Sequence, residues 1–185
     1  NFNLRSWYLV LFKDGEYLGY VWNSLKVAAL STTISLVAGS MASYGISRFR
    51  FKGRDALAYS FLVFRMLPQI SLVVAMYMMF QAIGARDTVV GLTLAHSSFN
   101  VPYVIWMVLP FFSQIDRSYE EAALVDGCSR FQTFRRVFLP LAGPGLVVAG
   151  VFAFIMSWNE FLYALILTST RAKTAPLHVA GYIAA

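Results

Sequence analysis

The sequence predicts an all-α fold, a polytopic membrane helix bundle, and three observations carry that prediction. Of the 185 residues, 58% are hydrophobic and only 13% are charged. A soluble domain carries about 25% charged residues to keep its surface wetted. The apolar residues also gather into four runs of about 20 residues or more, the length a helix needs to cross a bilayer. Finally, Lys and Arg cluster in particular segments between the runs, the bias that sets orientation in membrane proteins. Strands are excluded because a spanning strand needs only about ten residues in strict alternation.

The formal net charge of +6 therefore reads as membrane orientation, and no nucleic-acid partner is expected. No aromatic-plus-basic sheet pattern of the RNA-binding kind is present. Cys128 is the single cysteine, which rules out an intrachain disulfide and a thiolate metal cluster. His96 and His178 lie far apart without a carboxylate at ligand spacing, so they read as buried or interfacial polar residues and no metal is expected.

The first predicted span runs from about Ser24 to Ser47. Its small residues Ala38, Gly39, Ala42, Ser43 and Gly45 let neighbouring backbones approach closely. Trp7, Tyr8, Tyr17, Tyr20 and Trp22 precede it; they fit a headgroup belt or the core of a small external cap. After it comes "RFRFKGR", with Arg48, Arg50, Lys52 and Arg54. Four clustered cations place that loop inside. By parity, the N-terminal segment, the Gln81 to Thr88 turn and the segment after Thr168 lie outside.

The second predicted span, about Ala56 to Phe80, holds Arg65 and Pro68. A charge at mid-membrane costs about 2.5 to 3.5 kcal/mol on insertion scales, so Arg65 should face protein or a water-filled path. Pro68 should kink the helix. The third span, Val89 to Phe112, is expected to bend at Pro102 and Pro110. The fourth, about Pro144 to Thr168, carries Trp158, Asn159 and Glu160 in "WNEF". Arg65 and Glu160 could pair, or each could face the pathway or a partner subunit.

Between the third and fourth spans, Ser113 to Gly143 forms a charged cytoplasmic loop. Ser118 and Glu121 fit a capping box, and Glu120 and Glu121 suit a helix N-terminus electrostatically. Gly127 supplies a helix stop. A second short helix, "SRFQTFRRVF", should then run until Leu139-Pro140 ends it.

The spacing of this loop is specific. Glu121-Ala122-Ala123, three residues, Gly127, nine residues, Val137, one residue, then Leu139-Pro140 resembles the EAA loop of permease subunits in binding-protein-dependent ABC importers. "NSL" at Asn23, "RMLP" at Arg65, Phe111-Phe112 and "WNEF" at Trp158 resemble the maltose-type carbohydrate branch of that family. Two departures stand out: Val137 replaces the family's Ile, and Asp116 stands where Pro is frequent.

The resemblance implies a type I ABC importer permease fold, with residues 1–185 as one transmembrane domain and the first and last of six spans missing. It implies a non-catalytic subunit of a prokaryotic cytoplasmic (inner) membrane, moving a carbohydrate when a separate ATPase dimer, with its ATP and Mg, closes. A second permease subunit, an extracytoplasmic solute-binding protein and membrane lipid are the other implied partners. No cofactor is expected on this chain, which has no phosphate-binding loop of the Gly-Lys-Ser/Thr type. Coupling to the ATPase would fall on Glu120, Glu121, Ala122, Ala123, Asp126, Gly127 and Pro140. Glu121 would pair with a basic group or cap its own helix. Arg65, Asn100, Trp158, Asn159 and Glu160 are the candidates for the translocation path, and Tyr77, Tyr103 and Trp106 offer further faces for sugars.

Two other classes of membrane protein predict different patterns. An ion-coupled secondary transporter should show an inverted repeat and several intramembrane carboxylates, and a membrane enzyme should show clustered catalytic groups. The sequence shows neither pattern.

Overall fold

The computed structural model describes residues 15–184, and side chains up to Gly181. Trp7 and Tyr8 of the expected headgroup belt lie outside the described residues. Among the described residues all regular structure is helical. In chain order these are α1 (Tyr17–Arg48), α2 (Arg54–Met66), α3 (Gln69–Ala82), α4 (Val89–Gln114), α5 (Arg117–Val125), α6 (Arg130–Leu141), α7 (Gly143–Trp158), α8 (Leu162–Leu167) and α9 (Ala175–Ala184).

By length and composition, α1 and α4 can each cross a bilayer alone. The second and fourth predicted spans differ from this pattern. At Leu67-Pro68 the helix breaks outright instead of kinking: Leu67 is extended (φ −65°, ψ 136°) and so is Pro68. A proline ring disfavours the α region for the residue before it, and α2 has no buried residue to hold a helical path through the break. The fourth span also breaks, at 159–161. By contrast, Pro102 and Pro110 lie inside an unbroken α4. There Val104, Ile105, Val108 and Phe112 are wholly buried, and their packing keeps the helix continuous.

The described residues form two compact units. One gathers 15–31, Pro68–His96 and 155–184. In it α8 packs on α3 around Val73, Phe80, Leu92, Tyr163 and Leu167. The other gathers Thr32–Leu67 and Ser97–Phe154. Its core is an aromatic cluster of Tyr44, Phe112, Phe134 and Phe138, backed by Val104, Val108, Ala142, Ala149 and Ala153.

In this second unit the small residues of α1 act as the sequence suggests at two positions. A methyl added at Gly39 would lie 2.6 Å from Val104 Cγ1 and 3.0 Å from its Cβ, and Ser43 Oγ donates to the Ile105 carbonyl at 3.3 Å. Gly45 faces open space. Gly39→Leu should therefore destabilise the protein by about 1–3 kcal/mol through overpacking, while Gly45→Ala should be neutral or slightly stabilising. Thermal unfolding in detergent would separate the two; equal effects would contradict the close approach.

Candidate functional site

The charged segment between α4 and α7 folds into a compact knuckle. Its first helix, α5, is capped by Asp116, whose Oδ1 accepts from the Ser118 amide at 2.8 Å. The Ser118–Glu121 capping box expected from sequence does not form, because Asp116 starts the helix earlier and satisfies that donor itself. The Ser118 amide and hydroxyl hold the Asp116 carboxyl below its ordinary value. A family proline would supply no such cap.

At its other end α5 closes with a Schellman motif. Gly127 takes φ +82°, its amide donates to Leu124 O at 3.1 Å, and Cys128 donates to Ala123 O at 2.9 Å. Glycine reaches this left-handed geometry without the steric cost of a side chain. The next helix opens with the capping box that α5 lacks: Ser129 Oγ accepts from the Gln132 amide at 3.3 Å, and Gln132 Oε1 accepts from the Ser129 amide at 2.7 Å.

Within α6, Phe134–Phe138 form a π-turn. It sits just before Pro140, whose ring would otherwise meet the carbonyl one turn back. The helix consequently continues past Leu139-Pro140 to Leu141. The chain then turns by 77° into α7, with Ala142 at φ −82°, ψ 2°. Proline therefore precedes the corner and does not end the helix.

The seven coupling candidates divide by exposure. Glu121, Ala122, Asp126, Gly127 and Pro140 are exposed. Glu120 and Ala123 point inward, both 8% exposed, and Glu120 is bonded by Arg130 Nη1 at 2.5 Å. This ion pair clasps α5 to α6. Sequence reasoning missed three exposed apolar neighbours: Tyr119, Phe131 and Val125, the last 88% exposed. Their helical positions alternate with buried ones, but only the fold shows which face is covered.

The intramembrane candidates also separate. Arg65 is exposed, its guanidinium 4.4 Å from the Tyr103 ring centroid. Asn100 is wholly buried and donates to the Ala153 carbonyl at 3.2 Å, so it ties helices together instead of lining an open path. Trp158 is half-buried, and Asn159 is exposed at the break between α7 and α8. Trp106 is half-buried, and Tyr77 Oη accepts from Arg86 Nη1 at 2.8 Å.

Glu160 has a structural task. Its carboxylate is buried and accepts from the Tyr163 amide at 3.0 Å and the Ala164 amide at 3.3 Å, satisfying the open amides of α8. His96 Nε2 lies 3.5 Å from Glu160 Oε2, and His96 Nδ1 bonds Ser157 Oγ at 2.7 Å. Ser31 Oγ donates to Ser157 at 3.0 Å. Arg65 and Glu160 thus take different partners. His96 does meet a carboxylate, one 64 positions away in sequence and invisible to local spacing.

A second carboxylate was overlooked. Asp87, outside the spans, takes φ +54° and accepts from four successive amides, Ser169 to Ala172, at 2.9 to 3.2 Å. The Ser169 and Thr170 hydroxyls add two bonds at 3.0 Å. Successive amides of this kind form an anion-binding nest. Asn23 Nδ2 donates to the Arg171 and Lys173 carbonyls from the other side.

These features define a class, a helical membrane protein with a capped knuckle after the membrane-length α4. Comparison with known proteins gives the family. Residues 34–180 match the binding-protein-dependent transport system inner membrane component family. The chain belongs to that family.

Among relatives, it is 39% identical over 176 residues to the trehalose transport system permease protein SugB of Mycobacterium tuberculosis, covering 95% of this chain and 64% of that protein. It is 36% identical over 166 residues to the trehalose/maltose transport system permease protein MalG of Thermococcus litoralis, covering 89% and 60%. The diacetylchitobiose uptake system permease protein DasC of Streptomyces coelicolor is 36% identical over 164 residues, covering 88% and 59%. The chain thus spans about 60% of the length of these relatives. A chain of a bacterial ABC transporter involved in importing the acidic polysaccharide alginate matches in fold, with TM-score 0.74, 24% identity, and coverage of 92% and 59%.

Burial raises the Asp87 carboxyl, but the amides of Ser169, Arg171 and Ala172 and the Ser169 hydroxyl outweigh it and hold the group well below the carboxylate range. A carboxyl depressed on folding stabilises fully above its unfolded value, about 3.9, and loses that contribution as pH falls through the folded value. Asp87→Asn should therefore cost about 1–2 kcal/mol near neutrality and flatten the loss of stability below about pH 4. Thermal unfolding against pH would check it; parallel curves for both proteins would refute it.

Proposed function

We propose that this chain is the permease subunit of an ATP-driven importer that passes a carbohydrate across the cytoplasmic membrane. A separate ATPase pair would seat against the α5–Gly127–α6 knuckle. The observation that carries this reading is the knuckle itself: after the membrane-length α4, it exposes Glu121, Ala122, Val125 and Phe131 on a capped and clasped frame. Small Ala122 allows close approach, and the apolar pair gives a partner's cleft something to bury. Charges at the rim steer the encounter.

The carbohydrate class is supported by the names of the relatives, which include trehalose, maltose and diacetylchitobiose. A second permease subunit and an external solute-binding protein complete the assembly in this reading. ATP and Mg belong to the ATPase subunits. Among the intramembrane candidates, Asn159 and Trp158 suit the path best. They sit at a helix break, where a backbone interruption is tolerated if it lines a cavity or is buried in protein. Glu160 holds the far side of that break by accepting from the first amides of α8.

Affinity-tagged full-length protein should retain its ATPase subunit through purification, and Gly127→Asp or Glu121→Lys should release it. Gly127→Asp forces a side chain into a left-handed turn costing about 1–2 kcal/mol, and Glu121→Lys reverses an exposed charge. Full retention of ATPase and uptake by both variants would refute the coupling assignment. Uptake of labelled sugars in a panel containing trehalose, maltose and chitobiose tests the substrate class. Transport of none, beside transport of an ion-coupled solute without ATP, would refute that.

A further inference from the structure

Among the four cations of "RFRFKGR", Arg48 stands apart. It closes α1 but is only 9% exposed. Its Nη2 donates to the carbonyls of Phe112 at 2.6 Å and Ile115 at 2.5 Å. The first oxygen belongs to the last turn of α4 and the second to Ile115 just past it, where the closing carbonyls lack helical partners and the helix dipole favours a cation. On its other side the guanidinium carbon lies 4.4 Å from the centroid of the Phe138 ring, within the π-turn of α6.

Tyr44, one turn earlier on α1, meets the same ring edge-on at 5.0 Å and Phe134 at 5.1 Å. Phe138 in turn lies over Phe112 at 6.2 Å with 17° between planes. A single side chain thus joins the ends of α1 and α4 to the knuckle. A cation needed only for orientation would stay hydrated, because the effective penalty for burying an ion is several kcal/mol. Arginine suits the place because its planar group can donate in plane and stack on a ring at once, which an ammonium cannot do.

We propose that Arg48 is a positioning residue that carries displacement of the knuckle directly to α1 and α4, beside the covalent route through Pro140 into α7. The inference rests on the coupling reading above. Close-packed aromatic side chains transmit strain with little compliance, so movement of Phe138 is passed to whatever grips its face. Arg48 grips that face and holds the closing carbonyls of Phe112 and Ile115 at the same time.

The test uses the complete transporter, ATPase subunits included, in lipid nanodiscs. In a Cys128→Ser background, nitroxides are attached at Met41→Cys on α1 and Leu94→Cys on α4, positions 52% and 48% exposed. Their separation is measured by pulsed electron paramagnetic resonance, without nucleotide and with ATP plus vanadate. The parent should show a nucleotide-dependent shift. Arg48→Met should keep its ATPase subunits and continue hydrolysis but lose the shift.

Arg48→Lys, which retains a donor without the planar stack, should recover part of the shift. Phe138→Leu, which keeps the core apolar, should lose part of it. A full shift in both Arg48→Met and Phe138→Leu overturns the proposal. So does a proportionate fall in assembly and hydrolysis with the shift intact in complexes that form, which marks a purely structural role. A parent that shows no shift removes the coupling reading and this inference together; a responsive parent confines any failure to Arg48.

Discussion

Much of this molecule depends on one constraint: a membrane interior offers no water to complete the hydrogen bonds of a helix end. A buried interruption of a helix must therefore bring its own partner. Glu160 supplies the acceptors for the first amides of α8. The same need is met at helix ends at or beyond the membrane faces: Arg48 donates to Phe112 in the last turn of α4 and to Ile115 just past it, and the Ser24 hydroxyl accepts from the Ala175 amide at the start of α9, at 2.9 Å. Polar side chains thus take the place that water would hold at these helix ends. They also fix where the chain is interrupted, since a break without its partner would leave buried polar groups exposed at a cost of about 1–3 kcal/mol each.

The same constraint separates prolines that break helices from those that do not. Proline inside a helix costs about 3 kcal/mol. In α4 that cost at Pro102 and Pro110 is offset by a packed face running from Val104 to Phe112. In α2 nothing is buried, and the chain yields at Pro68. Pro140 follows a third course: the preceding turn widens into a π-turn, and the corner shifts two residues on, to Ala142. Counting prolines would have treated all three alike. Packing on the neighbouring face decides between them.

Features set by local chemistry were legible in the sequence. Apolar run length gave the helical class, Gly127 marked the end of α5, and the Ser129 segment opened the next helix where expected. Features set by partners distant in sequence were not. Ser118 looked like a cap because its spacing to Glu121 is right, yet Asp116 two positions earlier competes for the same amide and wins. Glu120 and Glu121 are equivalent on paper, but only Glu120 meets Arg130. Asp87 carries no motif at all, since its four donors are backbone amides of a loop about 80 positions later. A nest of amides has no residue signature, so no reading of side chains could have found it.

Stiffness in the knuckle follows from redundancy, not from any single strong bond. An N-cap, a Schellman closure, a capping box and an ion pair each contribute about 1 kcal/mol or somewhat more. They act on different ends of two short helices, and isolated helices shorter than about 12 residues are marginal by themselves. With its nine residues, α5 would fray if any end were left open, and a fraying element yields before it transmits force. The clasp between Glu120 and Arg130 prevents the two helices from opening independently, and the Arg130 guanidinium also lies 5.5 Å from the Phe49 ring, just beyond α1. The outward face is left mostly free of internal tasks. The side chains of Glu121 and Val125 take no part in the caps or in the Glu120–Arg130 clasp, while Phe131 rests its ring 6.3 Å from that of Phe134.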